Sequence, residues 1–318
     1  MSRSNFSNVS NVGRAPIAAR ISTRPRLSDD TAGMLLGLAG VAMFSLTLPF
    51  TRMAVAGLDP AFVALGRAAV AALLAALWLL ARRAPLPPRT ALAGLAMVAL
   101  GCVIGFPWLT SIALRTLPAS HGAVLIGILP LATAVASALR GNERPSAGFW
   151  LSALAGSAIV AGFALRQSGG SFHLADLLMF GAVVLGALGY AEGGRLAKSL
   201  GGEQVICWAL LLSAPVVLPL LLWLWPEAGQ LAAAPASAWT GFAYVSAVSM
   251  FIAFFFWYRG MARGGVARVG QVQLVQPFLT LAGAWLLLGE AFAPSNAVFA
   301  LAVIAVVAAG RRMRIQAL

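Results

Sequence analysis

Gln273, Gln276 and Thr280 recur at spacings of three and four inside an otherwise apolar run. On a helix that spacing puts all three on one face, together with Pro277. Amides and hydroxyls donate and accept hydrogen bonds without carrying charge, which suits recognition rather than group transfer. In hydrocarbon such a face must look at protein or at a water-filled cavity. Similar pairs stand elsewhere. Ser246 and Ser249 are three apart, with Tyr258 closing their run, and Phe44 and Thr47 are also three apart. Phe106, Pro107 and Trp108 add aromatic surface, as does Tyr190. For any one of these residues the competing reading is helix–helix glue, since Ser, Thr and Gln often bond across membrane interfaces. For the Gln273–Thr280 face as a whole the cavity is the better reading. A neutral pocket of amides, hydroxyls and aromatic rings suits a zwitterion with a large apolar side chain. A phosphorylated substrate would need Arg or Lys in the cavity.

The absences bear on chemistry too. No Asp, Glu or Lys lies near the middle of an apolar run. Ion-coupled pumps usually place such a group there, because an intramembrane charge is costly and kept for function. Glu192 lies near the end of its run and reads as interfacial, with ion coupling as its alternative. Arg67 lies about seven residues inside its run, roughly 10 Å at 1.5 Å per residue, so it reaches the interface or pairs with Asp59 in a structural role, with substrate binding as the alternative. His121 opens a run, as a cap or as a proton-sensitive gate. Acyl or phosphoryl transfer needs a nucleophile with an oriented base, or a metal. The two histidines, His121 and His173, stand far from any acid cluster, and Cys102 and Cys207 are buried hydrophobes. The expectation is therefore a non-enzyme with no metal and no cofactor.

The elements that position these residues follow from composition. Of 318 residues, 60% are hydrophobic and 10% charged, against about 25% charged in soluble domains. Ten apolar segments, 32–51, 60–81, 90–114, 119–139, 146–165, 174–196, 204–225, 238–258, 265–288 and 294–310, are of membrane-crossing length. The fold class expected is an all-α integral membrane protein. Residues 1–28 read as a disordered basic cytoplasmic tail and 311–318 as a second basic tail. Eighteen Lys and Arg residues fall on one side of this layout. Only Arg52, Arg115 and Arg166 fall on the other, so both termini are placed in the cytoplasm. That bias accounts for the net charge of +13 without nucleic acid. Trp78, Trp150, Trp223, Trp225, Trp239 and Trp257 fall near span ends, as interfacial anchors do.

The chain also repeats itself. At an offset of 147, Pro130 meets Pro277, Thr133 meets Thr280 and Glu143 meets Glu290. Two units follow, 32–165 and 174–310, with five spans each. An odd number of spans forces the second unit to enter the membrane in the opposite sense. The ten helices thus form two inverted five-helix repeats, with a substrate site near the midplane. Pro130 and Pro277 each remove a backbone donor near that midplane, so both are expected to bend their helices. Glu143 and Glu290 fall where these helices end and read as structural groups. Gly33/Gly37, Gly101/Gly105 and Gly189/Gly193 form GxxxG pairs that let backbones approach.

"QLVQPFLTLAGAWLLLGE", the weaker copy "LIGILPLATAVASALRGNE", and "AMFSLTLPFTRMAVAGLDPAFVALGRAAVAALL" resemble the EamA-type drug/metabolite transporters. The resemblance covers residues 32–310 and is strongest to the bacterial aromatic and apolar amino acid exporters. It implies a multi-pass inner-membrane protein, with the fifth and tenth helices peripheral. The expected function is a secondary exporter of amino acids acting by alternating access, without ion coupling and as a monomer. The alternative is a multidrug or other small-metabolite exporter. The partners expected are the lipid bilayer and a small-molecule substrate. The expected substrate-contacting residues are Phe44, Thr47, Trp108, Tyr190, Ser246, Ser249, Gln273, Gln276 and Thr280, with His121 and Glu192 as gate or coupling groups.

Overall fold

A computed structural model describes residues 29–140, 143–167, 173–264, 269–291, 293–312 and 315–317. The expected tail at 1–28 lies outside the described residues, as do Gly141, Asn142 and the side chain of Glu143. Among the described residues the regular secondary structure is helical, apart from a three-residue antiparallel pairing of Glu143–Pro145 with Ile315–Ala317.

Seven helices are long and apolar enough to cross a membrane: α1 (Thr31–Val55), α2 (Pro60–Ala81), α3 (Arg89–Ala113), α4 (Ala119–Leu139), α6 (Leu174–Leu200), α7 (Gly202–Trp223) and α8 (Ala236–Gly264). Three more helices, α5 (Ala147–Gln167), α9 (Val272–Leu288) and α10 (Pro294–Arg312), carry shorter apolar stretches. Their ends are set by ordinary capping chemistry. Asp59 accepts from the Ala61 and Phe62 amides at 2.8 and 3.2 Å, and Pro60 opens α2. The His173 amide donates to Asp176 at 3.2 Å to start α6. Gly289, at φ 64°, ends α9 in the left-handed region that a side chain would strain.

Much of the outer surface is apolar. Leu73, Leu80, Leu222 and Trp223 are more than 60% exposed. A chain in water would not present so much contiguous hydrocarbon, whereas lipid tails favour it. Trp150, Trp223, Trp225 and Trp239 are likewise exposed. Trp257 is not: it is 1% exposed and packs its ring against Phe44 and Tyr190, so it is a core residue and not an interfacial anchor. Position near a span end misled here, because α8 buries this face against α1.

All three GxxxG pairs mark close approaches. A Cβ on Gly33 would meet the Gly264 backbone at 2.5 Å, so α1 and α8 touch main chain to main chain. Gly101 and Gly189 seat α3 against α6 in the same way: a Cβ on Gly101 would lie 2.4 Å from the Leu185 carbonyl. The remaining principal pairings are α2 with α7, α4 with α6, α4 with α9, and α5 with α10.

Candidate functional site

Five helices lose regular α geometry at one level of the bundle. α1 is interrupted at Leu46, between Asp29–Ser45 and Thr47–Val55. α3 is a π-helix over Ala99–Gly105, and α8 is one over Tyr244–Ile252. α4 breaks at Gly127 and Ile128 and restarts at Leu129, one residue before Pro130. α9 opens within a 3₁₀ turn over Gly270–Val275 and becomes α-helical at Gln276, one residue before Pro277. Proline fits the first turn of a helix because its missing N–H would have no partner there. The two break points face each other, since a Cβ on Gly127 would lie 3.4 Å from the Pro277 ring. Irregular backbone at membrane depth is tolerated where it is buried in protein or lines a cavity.

A cavity lies at this level. α1 supplies Phe44, Thr47 and Leu48; α2 supplies Arg67; α3 supplies Cys102 and Phe106; α4 supplies Ile126 and Leu129. Gly186 and Tyr190 come from α6, Ser249 and Phe254 from α8, and Gln276 from α9. Its volume is about 30 Å³, room for a water or two and far below the roughly 300–1,000 Å³ of a ligand site. One wall is aromatic. Phe44 meets Phe254 edge-on at 4.9 Å, and the Tyr190 ring lies 6.1 Å from both. The other wall is a hydrogen-bonded chain. The Thr47 and Ser249 hydroxyls are 2.8 Å apart, and Arg67 Nη2 donates to Ser249 Oγ at 3.1 Å.

Of the nine expected contact residues, Phe44, Thr47, Tyr190, Ser249 and Gln276 line this cavity. The others do not. Ser246 donates to the Phe242 carbonyl of its own helix at 2.6 Å, and Trp108 is half-buried away from the cavity. Thr280 is buried one turn beyond Gln276. Gln273 is 2% exposed, and neither its amide oxygen nor its nitrogen has a partner among the described residues. In a 3₁₀ turn, residues three apart eclipse, which stacks Gln273 under Gln276.

Three expectations about charge are corrected. Arg67 neither reaches the surface nor pairs with Asp59: it is 2% exposed and faces the cavity. Asp59 is engaged in capping its own helix, eight residues away, roughly 12 Å of helix rise. The pocket is therefore not neutral. His121 is not remote from acids, because the N-terminal ends of α4 and α6 meet. Its Nε2 lies 2.8 Å from Asp176 Oδ1, with both side chains buried. Glu192 is 5% exposed and accepts from Arg195 Nη2 at 2.5 Å. Neither His121 nor Glu192 lines the cavity.

Sequence reasoning put a structural role for Arg67 ahead of substrate binding, and missed Cys102 and Phe254 as lining residues. The repeat offset held a usable signal: Cys102 and Ser249 are 147 apart, as are Leu129 and Gln276. It also missed what Glu290 touches. The Glu290 carboxylate accepts from the Ala119 amide at 2.7 Å and from the Ser120 amide at 2.9 Å. The glutamate that follows α9 thus caps the start of α4, a helix of the other unit.

The model of the EamA-like transporter family matches residues 31–165 and again 173–309. A Bacillus subtilis (strain 168) protein named "Uncharacterized transporter YdeK" is 48% identical over 286 residues, 90% of this chain and 99% of the relative. A solved crystal structure aligns with TM-score 0.62 at 18% identity, over 88% of this chain and 96% of the other, a likeness of fold.

Proposed function

Because the chain belongs to the EamA-like transporter family and is a multi-pass membrane transporter, we propose that it exports aromatic and other apolar amino acids across the inner membrane. The observation that carries this reading is the cavity where the two units meet: an aromatic wall of Phe44, Tyr190 and Phe254 faces a polar wall of Thr47, Ser249 and Gln276. Rings accept an apolar side chain, and hydroxyls and an amide accept its polar end. At about 30 Å³ the cavity must widen to admit such a molecule. Transport is then alternating access, one unit rocking against the other around the site. No ion is coupled to it, and one chain contains the whole path.

Ten spans in two inverted repeats fit the pairing of helices. Exchanging each helix for its counterpart five places on sends α1–α8 to α6–α3, and returns α2–α7, α4–α9 and α5–α10 to themselves. The π-helical segments of α3 and α8 also fall at the repeat offset. Both observations support a two-fold relation between the units.

The test is uptake of labelled phenylalanine and tryptophan by proteoliposomes holding the purified protein. The reading requires saturable uptake of each and mutual competition. Uptake that never saturates, or aromatic amino acids that do not compete, would remove the amino acid assignment.

A further inference from the structure

Arg67 is a buried cation with unsatisfied bonding capacity. It is 2% exposed, and its Nε and Nη1 have no hydrogen-bond partner among the described residues. Only Nη2 is engaged, with a neutral hydroxyl, Ser249 Oγ. Among the described residues lining the cavity there is no Asp or Glu. A guanidinium taken out of water without a counter-ion is costly, the more so in a membrane. Most buried charges are paired within the protein, and ionisable groups inside a membrane mark substrate or ion pathways.

We infer that Arg67 is the counter-ion for a carboxylate carried by the transported molecule, so the cavity takes carboxylates with an aromatic or apolar body and excludes cations. The inference rests on the amino acid reading above for the site's use, and adds which end of the molecule is recognised and by what. Guanidinium N–H groups match carboxylate geometry, and Nε and Nη1 are the donors left open. A phosphate dianion calls for more than one cation, and among the described residues Arg67 is the only Lys or Arg in the lining. The aromatic wall then holds the body of the ligand, as an apolar pocket with one fixed polar anchor does. A lipophilic cation meets a fixed like charge instead, which argues against a cation-exporting drug pump. The bond from Arg67 to Ser249, which in turn contacts Thr47, ties the anchor to α1, α2 and α8. Carboxylate arrival would therefore be felt by helices of both units.

The test compares wild type, Arg67→Gln and Arg67→Lys by thermal unfolding in detergent and by competition with labelled phenylalanine in proteoliposomes. The probes are phenylalanine, 3-phenylpropionate (carboxylate alone), phenethylamine (ammonium alone) and benzylphosphonate. In wild type, phenylalanine and 3-phenylpropionate should bind and phenethylamine should not. Arg67→Gln should weaken both carboxylates by about tenfold or more, the size of one lost charge-assisted bond, and Arg67→Lys should keep part of the preference. A purely structural arginine would lower stability but leave the ranking of probes unchanged, and that ranking overturns the inference. So does equal binding of phenethylamine and 3-phenylpropionate, tighter binding of benzylphosphonate, or no binding of any carboxylate. If phenylalanine is not transported but 3-phenylpropionate stabilises wild type and not Arg67→Gln, the amino acid reading fails and the Arg67 assignment stands. Should Arg67→Gln not fold, the wild-type ranking and Arg67→Lys still decide.

Discussion

Replacing Glu290 by Ala removes the acceptor for two backbone amides at the start of α4, those of Ala119 and Ser120. The helix has no side-chain cap of its own there, since Pro118 holds the N-cap position. Loss of an N-cap acceptor costs about 0.5–2 kcal/mol, and loss of a negative charge at a helix N-terminus about 0.3–1 kcal/mol. The sum is about 1–3 kcal/mol. At about 2–4 °C per kcal/mol for a chain of this size class, Glu290→Ala should melt several degrees below wild type in detergent. Glu290→Gln should fall between them, because its amide oxygen still accepts one of the two bonds. Glu227→Gln is the control: Glu227 is exposed in the link after α7 and caps nothing with its side chain. The geometry also explains the neighbouring glycine. Gly289 at φ 64° turns the chain at the end of α9, with its amide on the Trp285 carbonyl at 3.1 Å, and so delivers the carboxylate across to α4. A Glu290→Ala protein that melts with wild type would refute the reasoning, since an idle carboxylate would then sit at an end that water already satisfies.

Other outcomes follow from single contacts. Gly193→Ala should destabilise by about 1–3 kcal/mol and reduce monodispersity on size exclusion, because the new Cβ would meet the buried Tyr258 ring at 2.3 Å. An unchanged elution profile and melting point would contradict that packing. Gln273→Leu should raise the melting temperature by a degree or more, since it removes a buried amide with no partner among the described residues. A variant that melts below wild type would show that the amide is satisfied in the folded protein. Uptake driven by substrate alone should be insensitive to an imposed pH gradient. A strong dependence that His121→Gln abolishes would instead make the buried His121–Asp176 pair a coupling site.

The helices themselves were legible, because a membrane span is a long local signal. Charge position was not. Arg67 stands seven residues into α2, where a long side chain can run outward along the helix or stay inside. Only the packing of α8 beside it, which brings Ser249 within 3.1 Å, decides. His121 and Asp176 are 55 residues apart and Glu290 is 171 from Ala119, so neither pairing leaves a spacing to read. The Gln273–Thr280 face was visible as a stripe, yet only Gln276 reaches the cavity. The 3₁₀ turn before Pro277 changes the period at that point, and an α-helical spacing argument fails across it. The π segments of α3 and α8 are equally silent in sequence, though they position Cys102 and Ser249.

Exchange of labelled phenylalanine across proteoliposomes preloaded with unlabelled phenylalanine tests the central claim most directly, with wild type beside Gln276→Leu. Saturable exchange is expected in wild type, inhibited by tryptophan and strongly reduced when the Gln276 amide is lost from the cavity. Flux no greater than through empty liposomes, or flux that Gln276→Leu leaves untouched, would rule out transport of aromatic amino acids through this cavity.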